Sequence, residues 1–451
     1  MPESVKKINS DRQNAVAEIL NSGSFNAAQN LIKALQPAEV ADMLESLPTS
    51  KRKLLWNFID LKDEGEILLE VGDEVRDSLI RDMDTAELVA ISANLDIDDL
   101  ADFVQALPDT VTNEVLQGMD NQYRQRLESV LSYPEDSAGG LMDLDAITVR
   151  ADVTLDVVLR FLRSKGNIPR HTDRIIIIDR FGYYQGVLPV RMLLTKDPDT
   201  LVAAVMRTDV DVIDVEESDI NVARLFEDHD LISAPVVDAN NRLLGRITID
   251  DVVDVIREDA EQSVMSMAGL SQEDDFFSPV VRSIRRRWLW LGFNLATAFL
   301  ASWVASQFTD TLDQIVTLAI LMTIVPSMGG IAGSQTLTLV IRGQALGQIG
   351  AGNTRWILTK EAIVGLLNGL LWAVVVALIA YAWFGDGRVG FIIGLALIVN
   401  MSVAALAGVL IPVLLNRFSI DPALAGGVIL TTITDVVGLM AFLGLATIFL
   451  L

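Results

Sequence analysis

The spacing of apolar and polar residues changes character twice along the chain, which divides it into three stretches. Through about residue 131, apolar side chains recur every three to four positions with few β-branched runs, the period of amphipathic helices. An internal repeat is visible at an offset of 60: Leu35-Gln36-Pro37-Ala38-Glu39-Val40-Ala41-Asp42 through Leu47-Pro48 parallels Leu95-Asp96-Ile97-Asp98-Asp99-Leu100-Ala101-Asp102 through Leu107-Pro108. Repeated helical pairs predict a small superhelical array. From about 138 to 262, short apolar runs alternate with helical segments. Arg174 to Asp179, then Gly182 and Gly186-Val187-Leu188, reads as strand, turn, strand. Ala234 to Asp238, Asn240-Asn241 and Leu243 to Thr248 repeat it, and helices at Leu155–Ser164 and Asn221–Asp228 precede the two copies. Five long apolar stretches follow, at roughly 287–308, 314–341, 357–384, 389–415 and 423–451. Each reaches the ~20 residues that cross a hydrocarbon core of ~30 Å.

Two of these stretches carry chemistry. The second runs charge-free from Gln314 to Ile341, or ~42 Å as one helix at ~1.5 Å per residue, which is too long for a simple span. It contains Pro326-Ser327-Met328-Gly329-Gly330-Ile331-Ala332-Gly333-Ser334-Gln335. Proline and clustered glycine favour a bend, and irregular backbone at membrane depth needs protein or a wet cavity beside it. Helix packing on small residues is the plainer reading, and the two can coexist. The fifth stretch holds Thr431-Thr432-Ile433-Thr434-Asp435-Val436-Val437-Gly438, and Asp435 is the only ionisable residue after Pro422. A carboxylate at a helix centre costs about 2.5–3.5 kcal/mol on insertion scales, so it should face water or a partner. A protonated Asp that fixes a helix contact is the bland alternative. As an ion ligand, one carboxylate per chain is thin. A symmetric dimer would bring two to the axis, enough for one hydrated Mg²⁺, which keeps several waters. Gly330, Gly333 and Thr431 are suitable neighbours for it.

Composition sharpens the division. The chain has 451 residues, 51% hydrophobic, with a formal charge of −25 and a mean hydropathy of +0.39. Only six of its 60 acids and nine of its 35 bases lie after residue 280, which leaves 54 acids and 26 bases in front, a net of −28. So acidic a front repels nucleic acid and attracts cations. With no cysteine and only His171 and His229, thiolate sites and disulfides are excluded and an enzyme's nucleophile–base pair is not evident. Metal ions here would meet oxygen ligands. The amino-terminal residues lack a signal peptide's apolar core. Arg282, Arg285, Arg286, Arg287, Arg342, Arg355, Lys360 and Arg417 fall on one side of the spans, and Asp310, Asp313, Asp386 and a single Arg388 on the other. The positive-inside rule puts the front in the cytoplasm, in a multi-pass protein of the cytoplasmic (inner) membrane.

Between front and membrane lies a run of acids: Asp250, Asp251, Asp254, Glu258, Asp259 and Glu261. Steps of four and seven place several on one helical face, where like charges repel. A solvated face is the ordinary reading of such a run. Its position between soluble body and pore favours regulatory cation sites.

The strand–helix repeats resemble a tandem of CBS domains, whose nucleotide-contacting end matches Gly245-x-x-Thr248-x-x-Asp251; the first copy has Pro189 and Met192 at those positions. Thr248 and Asp251 are therefore the candidates for a nucleotide such as ATP, in the second repeat. As a whole the chain resembles the MgtE family of magnesium transporters. The resemblance rests on the order of its parts, on Tyr133 to Gly139, on Gly329-Gly330-x-x-Gly333-x-Gln335, on Arg342-Gly343, and on Asp421-Pro422-Ala423 followed by Thr431-Thr432-x-x-Asp435-x-x-Gly438. It implies a multidomain fold: an all-α superhelical amino-terminal domain (1–132), an α/β tandem CBS pair (133–200 and 201–257), a connecting helix (258–284) and a five-helix membrane domain (285–451). It also implies a homodimeric Mg²⁺ channel that closes when intracellular Mg²⁺ binds the cytoplasmic domains. Asp435 takes the pore role, with Gly330, Gly333 and Thr431 around it. Asp251, Asp254 and Asp259 sense, joined by Asp250, Glu258, Asp230, and Asp98 or Asp99.

Two positions depart from the family's pattern. Ile331 stands where the family has Asn, which removes an amide beside the ion path, and Asp259-Ala260-Glu261-Gln262-Ser263 replaces Glu-Ala-Thr-Glu-Asp. Transport of Co²⁺, Ni²⁺ or Mn²⁺, and a non-conducting membrane sensor of divalent cations, remain alternatives.

Overall fold

The computed structural model describes residues 29, 32–92, 95, 97–105, 107, 109–119, 121–270, 277–350, 352–418 and 420–451. The described chain forms two compact units, residues 1–260 with 273–278 and residues 261–272 with 279–451.

The first unit opens with short helices: α1 (Pro37–Glu45), α2 (Thr49–Trp56), α3 (Leu61–Glu70), α4 (Asp73–Ile80), α5 (Thr85–Ser92), α6 (Ile97–Gln105), α7 (Asp109–Gly118) and α8 (Asn121–Leu131). α1 and α6 are the two copies of the sequence repeat and have the same bounds at the offset of 60. Val40, Ala41, Met43 and Leu44 are buried in one, and Leu100, Ala101, Phe103 and Val104 in the other. Helices this short leave much of their backbone unpaired at the ends, and two arginines supply donors. Arg52 gives Nε to the Leu44 carbonyl at 2.8 Å, and Arg76 gives Nε to that of Leu68 at 2.7 Å.

Next come β1 (Thr148–Val149), α9 (Leu155–Lys165), β2 (Arg174–Ile178), β3 (Tyr184–Pro189), α10 (Val190–Thr195) and α11 (Val202–Val205). The second copy is β4 (Ile213–Asp214), α12 (Asp219–His229), β5 (Ser233–Val237), β6 (Leu243–Thr248) and α13 (Ile249–Met267). The sheets order β1-β2-β3 and β4-β5-β6, each with one parallel and one antiparallel pair. The antiparallel register breaks at Ile177/Ile178 in one and at Val236/Val237 in the other. The same bulge at the same place in both marks them as repeats of one fold.

The second unit holds α14 (Val280–Ser306), α15 (Thr309–Gln314), α16 (Val316–Leu321), α17 (Ile324–Ala345), α18 (Thr354–Phe384), α19 (Gly387–Arg417) and α20 (Pro422–Leu450). Among the described residues, five segments are long and apolar enough to span a membrane, α16 and α17 together making the second. α19 is central and packs on α17, α18 and α20. The overlong second stretch does break, but at Met322–Thr323, ahead of the proline. Pro326 then sits in the first turn of α17, where its missing N–H costs nothing, and the glycines continue as regular helix. The expected bend among the glycines is thus displaced by about two turns. Gly269, in a left-handed conformation (φ 70°), lies under Trp290 of α14; a Cβ there would stand 2.1 Å from the indole nitrogen. Trp290 therefore packs on backbone.

Candidate functional site: a polar groove around Asp435

α17 and α20 pack side by side and leave a groove of about 860 Å³ between Pro326, Ser327, Gly330, Ile331, Ser334, Gln335, Thr338 and Leu339 on one helix and Thr431 and Asp435 on the other. Asp435 is half-buried, while Ser334, Gln335, Thr338 and Thr431 are exposed on the single chain. The hydroxyls bond back along their own helices, Ser334 Oγ to the Gly330 carbonyl at 2.8 Å and Thr431 Oγ1 to that of Gly427 at 2.5 Å. With their protons committed, these oxygens present lone pairs to whatever occupies the groove.

Gly330 and Thr431 accompany Asp435, as the sequence suggests. Gly333 does not. It is buried in the contact with α19 and α20, where a Cβ would meet Leu430 Cδ1 at 2.8 Å, and its carbonyl lies 2.9 Å from the place of a Cβ on Gly408. Four residues separate Gly329 from Gly333 and place both on the packing face; Gly330, one position on, turns to the groove. Ile331 lines the groove and is 57% exposed.

One group that sequence reasoning passed over is Glu361, in the second turn of α18. It is buried, accepts from Thr336 Oγ1 of α17 at 3.2 Å and pairs with Lys360 Nζ at 3.1 Å. Its sequence signal is an acid inside an apolar stretch, the same signal that marks Asp435.

In the first unit, α13 carries Asp250, Asp251, Asp254, Glu258 and Asp259. Asp250 and Asp251 are engaged locally. The Thr248 hydroxyl donates to Asp250 and, at 3.2 Å, to Asp251, and His171 Nε2 lies 3.3 Å from Asp250. Asp254 and Glu258 face the helical repeats. Burial pushes both carboxyls up, with Asp250 adding repulsion at Asp254, and Asp254 and Asp73 adding it at Glu258. Burial likewise raises Glu70 of α3, with Asp254, Asp42 and Glu66 adding to it. Arg257 opposes all three shifts and pairs with Asp254 at 3.0 Å. Glu66, Glu70 and Asp73 were not anticipated, because nothing local distinguishes them from a solvated acidic face. Asp259 lies near Asp219, whose carboxyl is raised by burial and, further, by Asp136 and Asp259. Asp230 is an exposed left-handed residue (φ 51°) capping α12 through its N–H to the Phe226 carbonyl. Asp99 is half-buried on α6, and the Asp98 side chain lies outside the described residues. Among the described residues, no three His, Cys, Asp or Glu side chains converge as a preformed metal shell.

At the second repeat's candidate nucleotide-contacting end the residues are closely packed. Gly245 lets the backbone approach the Asp143 carbonyl, 2.7 Å from the place of a Cβ. Arg246 is buried, held by Asp143 Oδ2 at 2.9 and 3.0 Å and by the Arg170 carbonyl at 3.0 Å. Thr248 is buried as well. An open cleft of about 280 Å³ lies at the first repeat's end, lined by Asp173, Arg174, Val187, Pro189, Arg191, Arg207, Val210 and Ile232.

Comparison with known proteins agrees with this architecture. Residues 35–136 match the MgtE intracellular N domain, 202–258 the CBS domain, and 322–445 the MgtE divalent cation transporter family. The magnesium transporter MgtE of Thermus thermophilus is 30% identical over 442 residues, which cover 97% of this chain and 98% of that protein. That of Bacillus subtilis is 26% identical over 432 residues, covering 96% of each. A crystal structure of the cytosolic domain of the Mg²⁺ channel MgtE in complex with ATP aligns at 30% identity and a TM-score of 0.50, covering 54% of this chain and 99% of that one. These relatives are transporters, not enzymes, and the five spans make this a multi-pass membrane protein. With matches running from the helical repeats to the last span, the chain belongs to the MgtE family of magnesium transporters.

Proposed function

We propose that this chain is half of a homodimeric Mg²⁺ channel of the cytoplasmic membrane, with its acidic body in the cytoplasm and Asp435 at the ion site. The observation that carries this reading is the groove. A carboxylate and a row of exposed hydroxyl and amide groups lie within spanning helices, where polar side chains belong against protein or water. A second copy across the groove supplies that setting and a second carboxylate, so two negative charges face one hydrated divalent ion. Oxygen-only lining favours Mg²⁺ over Co²⁺ and Ni²⁺. Ile331 supports a second reading, a membrane sensor of divalent cations with weak or no conduction, since an alkyl group there offers nothing to the ion's water shell.

Regulation follows from the acids. Asp254 on α13 repels Glu70 on α3 and its own neighbour Glu258, which Asp73 of α4 repels as well. A divalent cation between them would relieve that repulsion and draw the helical repeats to α13, the helix that continues toward the membrane. Asp251, Asp259, Asp250, Asp230, Asp98 and Asp99 remain proposed contributors. For a nucleotide, Arg174, Arg191 and Arg207 around the first-repeat cleft suit phosphate oxygens, and the related cytosolic domain was crystallised in complex with ATP.

The test is Mg²⁺ flux into liposomes containing the purified protein, with Asp435→Ala beside it. Parent flux that the variant abolishes supports the channel; equal flux in both removes Asp435 from the path, and none in the parent at low Mg²⁺ favours the sensor. Regulation is read by proteolysis. Mg²⁺ should protect the soluble unit in the parent and protect much less in Asp254→Asn with Glu258→Gln.

A further inference from the structure

Asn400, midway along α19, is fully buried (0% exposed). Its Nδ2 donates to the Val325 carbonyl at 2.7 Å, one residue before Pro326. Its Oδ1 meets no donor among the described residues. Two glycines make room for this amide. A Cβ on Gly329 would stand 2.2 Å from Nδ2, and one on Gly438 would stand 2.9 Å from Nδ2 and 3.1 Å from the Pro326 nitrogen. Gly329 adjoins the groove residue Gly330, and Gly438 lies one helical turn past Asp435. A single side chain thus wedges behind both walls of the groove and is bonded to the first turn of α17.

Stability alone does not account for an amide here. An unpaired buried amide oxygen is unfavourable, and a leucine of similar size would carry none. What the amide adds is direction, because its one hydrogen bond sets the height and rotation of the first turn of α17 against α19, and Gly438 of α20 closes on the same amide. We infer that Asn400 is a positioning residue for ion selectivity: it fixes the spacing between the Gly330 backbone and the Asp435 carboxylate. The inference rests on the reading of the groove as the ion path. Mg²⁺ holds its ligands at about 2.0–2.1 Å and Ca²⁺ at about 2.3–2.6 Å, so a wall displaced by a few tenths of an ångström changes which hydrated ion is seated.

The experiment measures Mg²⁺ and Ca²⁺ flux in liposomes for the full-length parent, Asn400→Leu and Asp435→Ala, with thermal unfolding and size-exclusion elution of each. Asn400→Leu is expected to elute and unfold as the parent does while its Mg²⁺-to-Ca²⁺ flux ratio shifts at least tenfold. Should that variant fail to fold, Asn400→Ser, too short to reach Val325, gives the same readout. A ratio within twofold of the parent's overturns the inference. So does equal loss of both fluxes, since that is what a purely structural side chain would produce. If the parent moves neither ion, or Asp435→Ala moves both as the parent does, the groove reading falls and takes the positioning role with it; a conducting parent, a silent Asp435→Ala and an unchanged ratio in Asn400→Leu sink the positioning role alone.

Discussion

Gly330 and Gly333 stand three residues apart on α17, yet adding one methyl to each should have opposite consequences. At Gly333 the new Cβ would lie 2.8, 3.1 and 3.2 Å from Cδ1, Cδ2 and Cγ of Leu430, a side chain with no exposed surface. Comfortable carbon contacts are about 3.5–4.0 Å, so the whole isobutyl group must shift within a packed interior. Such overpacking costs about 1–3 kcal/mol, offset by up to ~1 kcal/mol when a helix interior loses a glycine. Gly333→Ala should therefore destabilise by roughly 0–3 kcal/mol and lower the unfolding midpoint by on the order of a few degrees. At Gly330 the nearest atom to a new Cβ is Thr434 Oγ1 at 3.7 Å, an ordinary contact. Gly330→Ala should be neutral or stabilising by up to ~1 kcal/mol, while its methyl enters the groove wall and cuts Mg²⁺ flux several-fold. Thermal unfolding in detergent and flux per folded protein in liposomes separate the two. The reverse pattern, with Gly330→Ala transporting normally and Gly333→Ala stable but blocked, would refute the assignment of faces on α17.

Two further outcomes are expected. Glu64 on α3 is 7% exposed, its Oε2 has no partner among the described residues, and burial, with Glu87 adding to it, raises its pKa to about 7. The folded state then holds this proton more tightly than the unfolded one, so stability is lost as pH rises from the ordinary carboxyl value through 7. Glu64→Gln should accordingly stabilise the helical repeats by on the order of 3 kcal/mol at pH 8 and under about 1 kcal/mol at pH 5; an equal gain in thermal unfolding at both pH values would show that Glu64 does not titrate there. Ile331→Asn should lower the Mg²⁺ concentration for half-maximal flux several-fold without moving the unfolding midpoint, and unchanged transport would place the Ile331 side chain away from the ion.

Much of this protein is legible along the chain because much of it is set by local periodicity. The helical repeat at Pro37 and Ile97, the doubled strand pairs and the five spans each depend on residues within a window of about 20 positions, and hydrophobic period reports those directly. Asp435 is legible for a related reason, since a lone carboxylate in an apolar helix stands out against its neighbours whatever they pack on. Packing between distant elements decided the rest. Gly330 and Gly333 look alike in sequence until Leu430 and Gly408 close over one of them. Asn400 is an unremarked polar residue until Gly329 and Gly438 meet around its amide. Glu70 and Asp73 gain their meaning only when α13 brings Asp254 and Glu258 alongside, and the cleft beside Pro189 is lined from positions as far apart as Asp173 and Ile232. Which face of an element is covered, and which carbonyl or charge it meets, depends on contacts between residues tens to hundreds of positions apart, and no local pattern encodes them.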